Sequence, residues 1–204
     1  MEFQEFPKMA RWSRDVVVTE KIDGTNAAVV VAELDGHADS NALWQADGVA
    51  IYAQSRTRFI TPTDDNFGFA RWIQQNAAEL AGLGPGRHFG EWWGAGIQRR
   101  YGLAEKRFSL FNVGRWFNPN DCDGEDVAGR VAAPACCHVV PILAKGPNEP
   151  GLIQTCIDLL RERGSYAAPG FMKPEGVVLF HLAAGIGFKK TLEKDEVPKT
   201  LAQA

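Results

Sequence analysis

The stretch Thr19-Glu20-Lys21-Ile22-Asp23-Gly24-Thr25-Asn26 sets one lysine two residues before an aspartate-glycine pair. A neutral lysine amine is a good nucleophile toward phosphorus. Its reference pKa of about 10.4 leaves only about one in a thousand uncharged near neutral pH, a penalty of roughly 4 kcal/mol. A nearby cation, a metal or desolvation offsets that penalty. Chemistry at Lys21 therefore calls for phosphate-binding groups elsewhere in the chain. Candidates are Arg56 in Gln54-Ser55-Arg56-Thr57-Arg58 and Glu91 in Phe89-Gly90-Glu91-Trp92-Trp93-Gly94. Three more groups follow: Phe111 in Phe108-Ser109-Leu110-Phe111-Asn112-Val113, Glu175 in Pro174-Glu175-Gly176-Val177-Val178, and the pair Lys189-Lys190. Taken singly, each has an ordinary structural reading: a turn lysine, a surface arginine, a strand-edge glutamate, a core aromatic.

The elements around these residues are readable from pattern. Valine-rich 15–18 and 27–32 predict strands on either side of Lys21, with Gly24 permitting a tight junction. Strands are also predicted over 49–54, 87–93, 108–113, 138–143 and 177–181. Over 66–83 the apolar residues Phe69, Ile73, Ala77 and Leu80 share one helical face. A second helix is expected with Pro150 in its first turn, Leu152, Ile153, Cys156, Ile157 and Leu160 on one face, and Gly164 as the stop. The run 118–135 reads as a loop or insertion. Two helices among many short strands predict an α+β chain with largely antiparallel sheet.

Composition is that of a globular protein, 45% hydrophobic and 23% charged, with no apolar run of membrane-spanning length. The N-terminus lacks a signal-peptide pattern, so a cytoplasmic protein is expected. A net charge of −3 gives no global attraction to nucleic acid. Positive charge is instead local, at Arg99, Arg100, Lys106, Arg107 and Arg115, and at Lys189, Lys190, Lys194 and Lys199. Cys122, Cys136, Cys137 and Cys156 lack zinc-ligand spacing and are expected to be reduced thiols.

Together these segments resemble, in order, the motifs of the covalent nucleotidyltransferases, the DNA ligases, RNA ligases and mRNA-capping enzymes, and most of all the RNA ligase 2-like branch. The resemblance spans Glu20 to Lys190. It implies an ATP-grasp-like nucleotidyltransferase fold with two mainly antiparallel sheets around a nucleotide cleft, in a single domain over 1–204 without a separate C-terminal domain. It also implies ATP as AMP donor, Mg²⁺ or Mn²⁺, and a lysyl-AMP intermediate on Lys21. AMP would pass to a 5′-phosphate end and be displaced by a 3′-hydroxyl. Glu20, Ile22 and Asn26 of the first motif, with Arg56, Glu91, Phe111, Lys189 and Lys190, would contact nucleotide. Arg56 would meet phosphate, Glu91 the ribose hydroxyls and Phe111 the adenine face. Lys189 would stabilise charge on the α-phosphate and Glu175 would hold the metal, since Mg²⁺ keeps waters and needs few carboxylates. On a strand Lys189 and Lys190 point to opposite faces, and Lys189 is the one expected at the phosphate. Asn112 stands where many relatives carry aspartate. The partners implied are RNA ends or a nicked duplex, RNA–DNA hybrid included. Substrate would be brought by an accessory nucleic-acid-binding protein or by a strip with Arg99, Arg100 and Arg107. A DNA ligase, a GTP-using capping enzyme and a non-catalytic nucleotide- or RNA-binding module remain as alternatives.

Overall fold

The structure, a computed structural model, describes residues 1–120, 126–193 and 195. Cys122, Lys194 and Lys199, and part of the 118–135 loop, lie outside the described residues. The chain falls into two compact units, one of Met1–Ile22 with Pro141–Ala204 and one of Asp23–Val140.

The first unit is built on a four-stranded antiparallel sheet. Its strands are β1 (Asp15–Lys21), β11 (Ile142–Pro147), β12 (Gly176–His181) and β13 (Ile186–Thr191), in the order β11-β1-β12-β13. Alternation along β1 sends Val16 and Val18 to one face, where they pack with Val177, Leu179 and the helix α2 (Leu152–Arg163) through Cys156, Ile157 and Leu160. Helix α2 begins after Gly151, which sits at φ 89°, so Pro150 lies outside the first turn. The left-handed glycine fixes the helix entry in place of the proline.

The second unit carries a seven-stranded sheet in the order β10-β7-β6-β2-β4-β3, with β5 (Phe59–Ile60) paired to β4. The path strands are β10 (His138–Val139), β7 (Lys106–Leu110), β6 (Gly86–Gly94), β2 (Thr25–Glu33), β4 (Val49–Ser55) and β3 (Trp44–Ala46). All pairs are antiparallel except β10 with β7. The short parallel pair β8 (Trp116–Phe117) and β9 (Val131–Ala132) stands apart. One face of the large sheet, with Ala27, Val29, Ile51, Trp92 and Phe108, packs on α1 (Phe69–Leu80). Phe69, Trp72, Trp92 and Phe108 form a ring cluster with centroids 5.1 to 5.7 Å apart. Such burial drives the docking of α1 more than helix propensity does. Asp65 orders its start, accepting from Asn66 and Ala70 N–H groups at 2.7 and 2.8 Å.

Two expected strands differ. Instead of one strand over 138–143, β10 and β11 belong to different sheets, separated at Val140-Pro141, where proline has no N–H for a ladder. The strand over 108–113 ends at Leu110. Arg115 N–H donates to Asn112 Oδ1 at 3.1 Å, closing a turn. That turn gives Asn112 a structural task that needs no carboxylate.

Candidate active site

Strand β1 delivers Lys21 as its last residue, in register with Gly176 of β12. Lys21 Nζ donates to Glu175 Oε2 at 2.5 Å, with side-chain exposures of 18% and 3%. A buried carboxylate so placed keeps the amine at one position rather than sweeping solvent. Gly176 is dictated by close packing, because a Cβ there would collide with the Lys190 carbonyl oxygen. Register then sorts the two lysines of β13. Lys189 lies opposite Val178, which lies opposite Thr19, so Lys189 shares the face of Lys21; Lys190 lies opposite Val177 on the α2 face. Both lysines are exposed.

Glu20 points away from Lys21 and is 1% exposed. Its carboxylate accepts from the Ser165 hydroxyl at 2.6 Å and from the Tyr166 and Ala167 N–H groups at 2.8 and 2.9 Å. Burial raises its pKa, and these three hydrogen bonds oppose the rise. The side chain of Glu20 is thus engaged in anchoring the loop after α2, a task the sequence reading missed. Ile22 is buried at 4% exposure.

In the second unit, Asn26 of β2 lies opposite Glu91 of β6, and Glu91 lies opposite Ser109 of β7. These residues share the sheet face away from α1. Phe111 follows β7 on that face, 38% exposed, its N–H donating to the Phe89 carbonyl at 3.0 Å. Arg56 is exposed in the turn after β4. The neighbouring Arg58 is tied to Asp64 at 2.5 Å, whereas Arg56 has no ion pair among the described residues.

Asp23-Gly24 is held by three bonds within this second unit. Asp23 N–H donates to Tyr101 Oη at 2.8 Å, Arg99 Nε to Asp23 Oδ2 at 3.1 Å, and Gly24 N–H to Glu91 Oε1 at 2.9 Å. A Cβ on Gly24 would collide with the Trp92 carbonyl oxygen and lie 2.7 Å from Trp93 Cβ. The loop supplying Tyr101 contains three non-glycine residues at positive φ, Gln98, Arg100 and Tyr101, at 43°, 59° and 51°. Non-glycine residues avoid that region unless their surroundings hold them there. Tyr101 was not identified from sequence; the glycines at 94, 96 and 102 were the one sign of a tight loop. The expected basic strip is largely committed elsewhere. Arg99 binds Asp23, Arg107 binds Glu105, Lys106 donates to the Phe67 carbonyl, and Arg115 donates to the Leu83 carbonyl.

A divalent ion would find no protein cage, since among the described residues no group of three or more His, Cys, Asp or Glu could hold a metal. A single carboxylate, Glu175, beside the Lys21 amine would fit an ion that keeps its waters and leans on phosphates. Cys136, Cys137 and Cys156 are free thiols, the first two with sulfurs 4.0 Å apart.

Nucleotidyl-transferring ligases are the class that this fold and the Lys21 constellation bring to mind. The RNA ligase family model matches residues 14–184, and the chain belongs to that family. A search of curated proteins gave no match. Among solved structures, variants of Naegleria gruberi RNA ligase align with the chain. One described with ATP and Mn gives a TM-score of 0.53 at 19% identity, covering 90% of this chain and 52% of that one. One described with AMP and Mn gives 0.54 at 20% identity, covering 91% and 53%. The chain spans about half the length of these neighbours, and the likeness shows the shared fold. Among the described residues no helix is long and apolar enough to cross a membrane.

Proposed function

We propose that the chain is the ATP-dependent catalytic unit of an RNA ligase that works through a covalent lysyl-AMP on Lys21. The Lys21–Glu175 contact is the observation that carries this reading, because it pairs the family's nucleophile position with a buried carboxylate just before the adjacent strand β12. The Lys21 amine, after losing one proton to solvent, attacks the α-phosphorus of ATP; a P–N bond forms, the P–O bond to pyrophosphate breaks, and the nitrogen releases its second proton to solvent. Glu175 orients Nζ for that attack. Lys189, on the same sheet face, stabilises negative charge on the phosphoryl oxygens as it builds. A divalent ion, when bound, would shield the phosphates and favour departure of pyrophosphate. Asn26, Glu91, Phe111 and Arg56 serve as the ribose, base and phosphate contacts. Glu20 and Ile22 contribute through the main chain, Glu20 because its carboxylate is committed to residues 165–167. AMP then moves to a 5′-phosphate on RNA, and a 3′-hydroxyl displaces it to form the phosphodiester.

The test is intact mass before and after ATP with Mg²⁺ or Mn²⁺, followed by a chase with 5′-phosphorylated RNA. A gain of one AMP that disappears as joined RNA accumulates is expected. A chain that binds ATP but never gains mass would overturn the proposal and favour a binding module. GTP in place of ATP tests the capping-enzyme alternative.

A further inference from the structure

The sheet face that carries Asn26 and Glu91 also bears two exposed side chains with no assigned task. Phe89, 45% exposed, lies on β6 two residues from Glu91, and its main chain pairs with that of Phe111. Arg87 lies two residues further along β6, on the same face, and is also exposed. The register across this row runs Gln54, Ala28, Phe89, Phe111, with Ala28 buried and the two phenylalanines exposed. Phe89 and Phe111 are neighbours in this row, and a contiguous exposed apolar patch, unlike a lone exposed side chain, points to a contact surface. Arg87 has no ion pair among the described residues, unlike Arg58, Arg99 and Arg107, which are all engaged by carboxylates.

We infer that Phe89 and Arg87 form a contact site for an unpaired nucleotide of the RNA substrate, with the Phe89 ring stacking on a base and the Arg87 guanidinium binding the adjoining phosphate. The inference rests on the RNA-ligase reading for its occupant and extends it, since Phe111 alone was assigned a base. Two exposed phenylalanines linked through their main chains, one on β6 and one just after β7, with the exposed Arg87 on the same face, suit a single strand: every base offers a flat face, and a fork of N–H donors fits a phosphate. Stacking also explains why the chain needs no strongly basic surface. An aromatic contact provides affinity that salt does not screen, whereas Arg87 alone provides about one phosphate contact.

The experiment uses the full chain and a fluorescein-labelled single-stranded RNA lacking a 5′-phosphate, so that binding is read without ligation. Phe89→Ala is expected to weaken anisotropy-measured affinity about tenfold, while Phe89→Trp retains it. Arg87→Gln, an exposed replacement that leaves the fold alone, is expected to weaken binding and to flatten the salt dependence by about one counterion. Lysyl-AMP formation from ATP alone is the separate readout that Phe89→Ala spares. RNA affinity unchanged in both variants would overturn the inference. So would Phe89→Leu binding as well as wild type, or a drop in AMP-adduct formation equal to the drop in RNA binding. A chain that forms no adduct yet loses RNA binding on Phe89→Ala would sink the ligase reading and leave this site standing.

Discussion

Two buried carboxylates in the unit of the four-stranded sheet are used in opposite ways. On the α2 face, Glu20 receives one hydroxyl and two backbone N–H groups, all from the loop 165–167. Just before β12, Glu175 receives the amine of Lys21. Adjacent residues of one strand thus serve different ends. Glu20 closes the fold, and Lys21, in the proposed function, presents the reactive amine. A carboxylate whose oxygens are filled by immobile donors is structural, while one that meets a flexible nucleophile can exchange its partner when substrate arrives.

The contrast can be broken most severely at Glu20. Glu20→Ala strands three buried or half-buried donors and is expected to cost about 3 kcal/mol of stability, read by urea denaturation. A loss under about 1 kcal/mol would remove Glu20 from the structural side of the comparison. The lysines of β13 come next. Lys189→Ala is expected to slow AMP-adduct formation about 100-fold in single-turnover assays, as loss of one charge-stabilising donor does. Lys190→Ala, on the α2 face, should leave the rate at wild-type level; equal losses would show that strand face does not sort them. Smaller is the effect of Tyr101→Phe, which removes the acceptor for Asp23 N–H while keeping the 4.9 Å ring contact with Trp93. It is expected to cost about 1 kcal/mol, with slower adduct formation at unchanged ATP affinity. The gentlest test is pH. Burial raises the Glu20 pKa above its ordinary 4.5, so its contribution favours the folded state fully below that value and is lost as pH rises through the raised value. The stability of wild type relative to Glu20→Gln should therefore fall as pH is raised from 4.5; a difference that grows would contradict the burial argument.

Much of the frame was legible because period and chemistry agreed locally. The valine-rich runs at 15–18 and 27–32 became β1 and β2, and the face Phe69, Ile73, Ala77, Leu80 became the buried side of α1. The face argument for Lys189 over Lys190 also follows from strand alternation, and the register agrees with it. The failures share a cause: long-range partners leave no local trace. Nothing near Glu20 announces Ser165, 145 residues away, and nothing near Asp23 announces Tyr101. Hydropathy cannot show that 138–143 divides between two sheets, although Pro141 was available as a warning. Counting arginines likewise overstated the basic strip, because Arg99 and Arg107 are already paired within the fold.

The claim on which the account turns is that Lys21 carries AMP. The direct measurement is incubation with α-labelled ATP and Mg²⁺, denaturation, and counting of protein-bound label in wild type and Lys21→Ala, each confirmed folded by circular dichroism. The account predicts an acid-labile label on wild type, mapped to the peptide containing Lys21, and none on the variant. Label retained by folded Lys21→Ala would contradict it.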